Sequence, residues 1–195
     1  LDGLGLKATH LPFKNIRNLF ARTGDTGPHF CFAGHTDVVP PGDESAWTHP
    51  PFAGEIVDGI VYGRGAVDMK GNIAAFIAAL AQYLGKHGAP PGSVSLLITG
   101  DEEGEAANGT VKVLEWMKAQ HHIPDFCLVG EPTNPARLGE QIKIGRRGSL
   151  TGRLTVSGTQ GHVAYPRNAA NPLPGLVNML NALAEFEWDQ GTEFF

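Results

Sequence analysis

Apolar positions along the chain fall into two rhythms, one alternating and one helical. "LKATHLP" and "NIRNLFAR" read as strands, followed by a turn at "TGDTGP" and a third strand in "HFCFAG". In "GEIVDGIVYGRG", Asp58-Gly59 offers the positive-φ turn of a hairpin between two β-branched runs. "NIAAFIAALAQYLGKHG" carries Ile73, Phe76, Ile77, Leu80 and Leu84 at helical spacing, and Lys86, His87 and Gly88 supply its stop. Then follow a strand in "SVSLLIT", a helix in "GTVKVLEWMKAQHH" and a strand in "DFCLVG". This alternation predicts βαβ units: an α/β fold with a mainly parallel sheet and flanking helices.

The texture changes near Gly145. "GRRGSLTGRLTVSGTQGH" alternates like an antiparallel strand pair, and "NPLPGLVNMLNALAEFEW" is an amphipathic helix. We expect a first domain over 1–144 and the start of a second, α+β domain over 145–195. The first residue is not Met and the last four, "TEFF", run on without a cap, so a piece of a longer chain is expected.

Composition narrows the function. The chain has 195 residues, 42% of them hydrophobic, enough for a globular core. A net charge of −5 argues against nucleic acid or an anionic membrane surface as partner. No apolar stretch approaches the length that spans a bilayer. Cys31 and Cys127 both sit inside apolar runs, so they read as buried free thiols, and a cytoplasmic location is expected.

The chemistry lies in where polar residues interrupt the apolar runs. "HFCFAG" ends at His35-Thr36-Asp37, "GIVYGRGAV" at Asp68, "SVSLLITG" at Glu102-Glu103 (within the "DEE" of 101–103) and "DFCLVG" at Glu131. In an open parallel sheet such ends share one edge, where these folds bind ligands. A histidine and several carboxylates converging there need a cation between them, and that cation explains how "DEE" is tolerated. The donor set suits Zn²⁺, with Co²⁺ or Mn²⁺ as alternatives. One carboxylate can bridge two metals. Asp37 is placed to orient the His35 imidazole. Glu102 and Glu103 invite a division of labour, one ligating and the other acting as general base.

"GHTDVVP", "GRGAVDMKGN", "TGDEEG" and "GEPT", in this order and spacing, resemble the zinc-dependent family of carboxypeptidases, aminoacylase and acetylornithine deacetylase. The resemblance runs over most of residues 30 to 170. It implies a two-zinc site in which His35, Asp68 and Glu131 hold one ion and bridging Asp68 with Glu103 holds the other. It also implies that Glu102 is the general base, and that a further histidine ligand lies beyond the last residue here. "IGRRGSLTGRLTVSGTQGHVAYPRNAANP" is similar to the opening of that family's lid and dimerisation domain. This implies a homodimer in which His162 reaches the partner's site and stabilises the oxyanion.

The implied substrate is a small anionic N-acyl amino acid. Arg146 and Arg147 could clamp its carboxylates in a planar fork, Ser149 could donate a further hydrogen bond, and Tyr165 is expected to line the site. His10, His29, His49, His87, His121 and His122 read as structural. The other readings in view are a different deacylase of the same family and a zinc-binding or dimerisation module without catalysis.

Overall fold

A computed structural model describes residues 1–145, 148 and 150–191, and the chain divides into two units, Leu1–Lys143 and Ile144–Phe195. The first unit is built on a five-stranded sheet. Its strands are β1 (Lys7–Phe13), β2 (Ile16–Thr23), β3 (His29–His35), β6 (Ser93–Thr99) and β7 (Phe126–Val129), in the order β1-β2-β6-β3-β7. β6, β3 and β7 run parallel, while β1 and β2 add an antiparallel hairpin at the other edge.

Period-two alternation explains how the sheet buries both faces. On β2 and β6, Phe20 and Leu97 point to one side, with Cys31 of β3, and pack against Val113 and Met117 of helix α2 (Thr110–Ala119). Ala21, Leu96 and Ile98 point to the other, against Leu80 and the apolar stripe of helix α1 (Gly71–His87). Phe76 of α1 stacks on Phe32 of β3 at 4.3 Å between ring centroids. The result is a three-layer α/β sandwich, as the alternation of elements implies. Among the described residues no helix is long and apolar enough to cross a membrane.

Three local expectations need correction. The hairpin over 55–62 exists, with Asp58 and Gly59 at φ 50° and 78°. However, its strands β4 (Glu55–Val57) and β5 (Ile60–Tyr62) form a separate two-stranded sheet. Asp68 therefore does not follow a strand of the parallel sheet. It sits in the turn Ala66–Lys70 that leads into α1. Secondly, β7 is an edge strand, so Cys127 is exposed and only Cys31 is buried.

Both thiols are free, and they are register partners on adjacent parallel strands. The Cys31 thiol holds the Cys127 pKa down at about 7, against a smaller opposing effect of partial desolvation, while Cys31 is pushed far up. A thiol with a lowered pKa is deprotonated at lower pH, and the thiolate is the nucleophile. Iodoacetamide should therefore modify Cys127 well before Cys31, at a rate that climbs through neutral pH and levels off above it. Peptide mapping after timed alkylation checks this; equal labelling of both residues would contradict it.

The third correction concerns the second unit. Among its described residues the expected antiparallel pair is absent. What forms is a single bridge, Thr159 to Ala170, and a helix α3 over Leu173–Glu185. A lone two-stranded ribbon is marginal in water without a face to pack on, and this stretch is largely exposed. On α3, Leu180 and Leu183 are about half exposed.

Candidate metal centre

β3 and β6 are paired in parallel up to His35↔Thr99, so their chain ends open at the same place on the sheet edge. β3 delivers His35, which is 1% exposed. The neighbouring β7 ends at Val129 and, one residue further, Gly130 donates its N–H to the carbonyl of Ala33 at 3.0 Å. That bond carries the parallel pairing to the threshold of Glu131. Asp68 enters from the turn before α1, and Glu102 and Glu103 from the loop after β6.

These five side chains meet. His35 Nε2 lies 3.0 Å from Asp68 Oδ1 and 3.4 Å from Glu131 Oε1. In two groups, His35 with Asp68 and Glu131, and His35 with Glu102 and Glu103, one ligand atom from each residue lies within 4.8 Å of the others. The other ring nitrogen, Nδ1, donates to the backbone carbonyl of Asp37 at 2.9 Å. A neutral ring with its proton on Nδ1 presents the Nε2 lone pair to the two carboxylates. Lone pair against carboxylate is repulsive, and only a proton or a cation at that point relieves it.

Electrostatics say the same. Burial works hardest against protonating His35. The Asp37 carbonyl and the charges of Glu131, Asp37 and Glu102 outweigh it, and the pKa stands above the ordinary imidazole value. For Glu103, burial first and then the charges of Asp68 and Glu102 raise the pKa. The cluster is short of positive charge. A tetrahedral zinc with bonds of about 2.0–2.1 Å holds its ligand atoms about 3.3 Å apart. The spacings of Nε2 to Asp68 and Glu131 fit that, and a nitrogen-and-oxygen donor set suits zinc.

Asp37 works in a way the sequence did not reveal. Its Oδ1 lies 3.5 Å from His35 Nδ1 and takes no hydrogen bond, so towards the ring it acts by charge. Its Oδ2 accepts the backbone N–H groups of both Glu102 and Glu103, each at 2.9 Å. One carboxylate thus ties the loop after β6 to the loop after β3.

The "DEE" run also divides unexpectedly. Asp101 is 7% exposed and turns away from the cluster. Its two oxygens accept the N–H groups of Ala106 and Asn108 at 3.2 and 2.8 Å. Buried Asn18 of β2 holds the same loop, accepting from Gly100 N–H and donating to the Asn108 carbonyl. A carboxylate that caps its own loop needs no metal, so of the three only Glu102 and Glu103 join the cluster. Asp101→Ala would leave two loop N–H groups without partners and should lower stability by about 1–3 kcal/mol. Chemical denaturation against the unaltered chain measures this, and an unchanged midpoint would refute it.

Among the other expected site residues, His162 and Tyr165 lie together in the second unit, ring centroids 5.8 Å apart, with Tyr165 N–H bonded to the His162 carbonyl. Arg146 and Ser149, with Arg147, lie outside the described residues. His29 is buried against Ser95 at 2.8 Å, a structural placement at the opposite end of β3. His49 pairs with Glu55 at 2.7 Å beside a cavity of about 330 Å³ lined by Trp47, Thr48, His49, Tyr62 and Gly63, none of them in the cluster.

Comparison with known proteins follows the same lines. The chain is 60% identical over 200 residues to a succinyl-diaminopimelate desuccinylase of Rhodospirillum centenum, an alignment covering all of this chain and 52% of that protein. It thus spans about half the length of that relative. Among solved structures it is similar to human carnosine dipeptidase 1, at 27% identity and a TM-score of 0.56, covering 66% of this chain and 30% of that one. An M20 family metallo-carboxypeptidase from Sulfolobus solfataricus gives 26% identity and a TM-score of 0.58, over 66% of this chain and 29% of that one. The profile of Peptidase family M20/M25/M40 matches residues 31–193, the stretch that carries all five converging side chains, and the chain belongs to that family.

Proposed function

We propose that the whole protein is a di-zinc amidohydrolase that cleaves N-succinyl-LL-2,6-diaminopimelate to succinate and LL-2,6-diaminopimelate, a step of lysine and diaminopimelate synthesis in the cytoplasm. The observation that carries the reaction type is the Nε2 of buried His35 set 3.0 and 3.4 Å from Asp68 and Glu131, with Glu102 and Glu103 beside it. The substrate rests on the name of the relative at 60% identity.

In this reading His35, Asp68 and Glu131 hold one ion, and Asp68 with Glu103 contributes to the second. When bound, zinc polarises the scissile carbonyl and acidifies water. The chain's own residues do the rest. Asp37 fixes the His35 tautomer through its carbonyl and, through Oδ2, sets the backbone from which Glu102 and Glu103 project. Glu102 takes the proton of the attacking water and returns it to the departing amine, so one carboxylate serves both halves of the hydrolysis. Arg146, Ser149 and Tyr165 bind the anionic acyl amino acid. His162 stabilises the oxyanion across a homodimer built on the second unit.

The test is a pair of assays on the zinc-loaded protein, one with N-succinyl-LL-2,6-diaminopimelate and one with N-acetylornithine. Hydrolysis of the first, abolished by a chelator and restored by zinc, is the expected result. Preference for the second would replace the proposal with another deacylase. Zinc binding without turnover of either would leave a metal-binding module.

A further inference from the structure

Asp68 poses a positioning problem. Its side chain is half exposed, so packing around the carboxylate does not hold it 3.0 Å from His35. It also sits on a short turn of irregular backbone, with φ −117° and ψ 95°. The next residue differs completely: Met69 is 0% exposed. The end of its side chain lies against two glycines. A Cβ built on Gly34 would stand 2.6 Å from Met69 Cε and 3.2 Å from both its Sδ and Ile73 Cγ1, and one built on Gly130 would meet the Phe32 ring first and the same Cε at 2.9 Å. Real Cβ atoms essentially never approach below 3.0 Å, so the Met69 methyl occupies space that only glycine leaves open.

The order along the chain gives this contact its meaning. Gly34 immediately precedes His35, Gly130 immediately precedes Glu131, and Met69 immediately follows Asp68. Gly34 and Gly130 stand one step beyond the register pair Ala33↔Val129 of β3 and β7, so they are neighbours at the two strand tips. Asn72, in the first turn of α1, donates to the Gly130 carbonyl at 2.6 Å and ties the same corner to the helix.

We propose that Met69 is a positioning residue, a plug seated on Gly34 and Gly130 that sets the separation of Asp68 from His35 and Glu131. The inference rests on reading that cluster as a metal centre. An unbranched thioether suits the task, because its end reaches over the two glycines where a β-branched chain would not. Truncating it leaves the Asp68 backbone unsupported, whereas Leu keeps most of the volume.

Zinc affinity of the full chain, measured by competition with a chelating dye, tests the proposal, with circular dichroism and thermal unfolding of the metal-free protein run alongside. Met69→Ala should remain folded and weaken zinc binding by about 10–100-fold, the scale seen when groups that orient ligands are lost. Met69→Leu should bind within a few fold of the unaltered chain. Gly34→Ala should weaken binding when Met69 is present and cost far less in the Met69→Ala background, since the added methyl then enters vacated space. Met69→Val replaces Met69→Ala in each arm if the larger truncation does not fold. A folded Met69→Ala protein that binds zinc as tightly as the unaltered chain overturns the proposal. So does a Gly34→Ala effect of equal size in both backgrounds. An unaltered chain with no His35-dependent zinc binding would instead refute the metal centre itself, and the inference with it.

Discussion

Replacing Glu102 with Gln should leave zinc binding intact and lower kcat by at least ~10² fold, the usual contribution of a positioned general base. The expectation follows from how the two adjacent glutamates are held. Asp37 Oδ2 accepts both of their backbone N–H groups, so the backbone at 102–103 is fixed independently of either side chain. Gln keeps the length of the side chain and loses only the capacity to take a proton. The fall should appear in kcat with little change in KM, because the interaction is made in the transition state. Glu103→Gln should behave differently, weakening the second of the two proposed ions. The pair of variants, each assayed for metal content and turnover, separates the roles. Loss of zinc from Glu102→Gln and its retention by Glu103→Gln would reverse the assignment.

His35→Ala should have the larger effect still. His35 belongs to both candidate ligand groups, and it is the sole imidazole in either. Removing it should abolish tight binding of the ion assigned to His35, Asp68 and Glu131 and, with it, hydrolysis. Its loss also leaves Asp68, Glu131, Glu102 and Glu103 facing one another without the ring that the Asp37 carbonyl orients. The fold should survive, because His35 lies at the end of β3 and outside the two clusters of buried apolar residues. Circular dichroism with metal analysis would decide between a lost site and a lost fold. Undiminished zinc stoichiometry and affinity in folded His35→Ala would show that this ion sits elsewhere, for instance at His49 and Glu55.

β3 and β6 were legible because their apolar runs are long and end abruptly in charged residues, and the parallel pairing that follows puts those ends together. Asp68 reached the right neighbourhood by a different route, since the hairpin over 55–62 is real but belongs to its own sheet. Local pattern identifies a hairpin without saying which sheet it joins. Asp101 was misread for a related reason: three adjacent carboxylates look alike in sequence, and only the backbone of the loop decides that the first turns inward to cap Ala106 and Asn108. Cys127 reads as buried because "DFCLV" is apolar, yet burial depends on what covers an edge strand. Met69 carried no signal at all. A methionine after an aspartate looks ordinary until Gly34 and Gly130 are seen against the end of its side chain.

The most direct test of the metal centre is anomalous diffraction at the zinc edge from crystals grown with zinc. The account predicts a peak at bonding distance from His35 Nε2, about 2.0–2.1 Å, with Asp68 and Glu131 in the same coordination shell. A His35 ring with no metal beside it, in crystals whose zinc lies on other residues, would contradict the account.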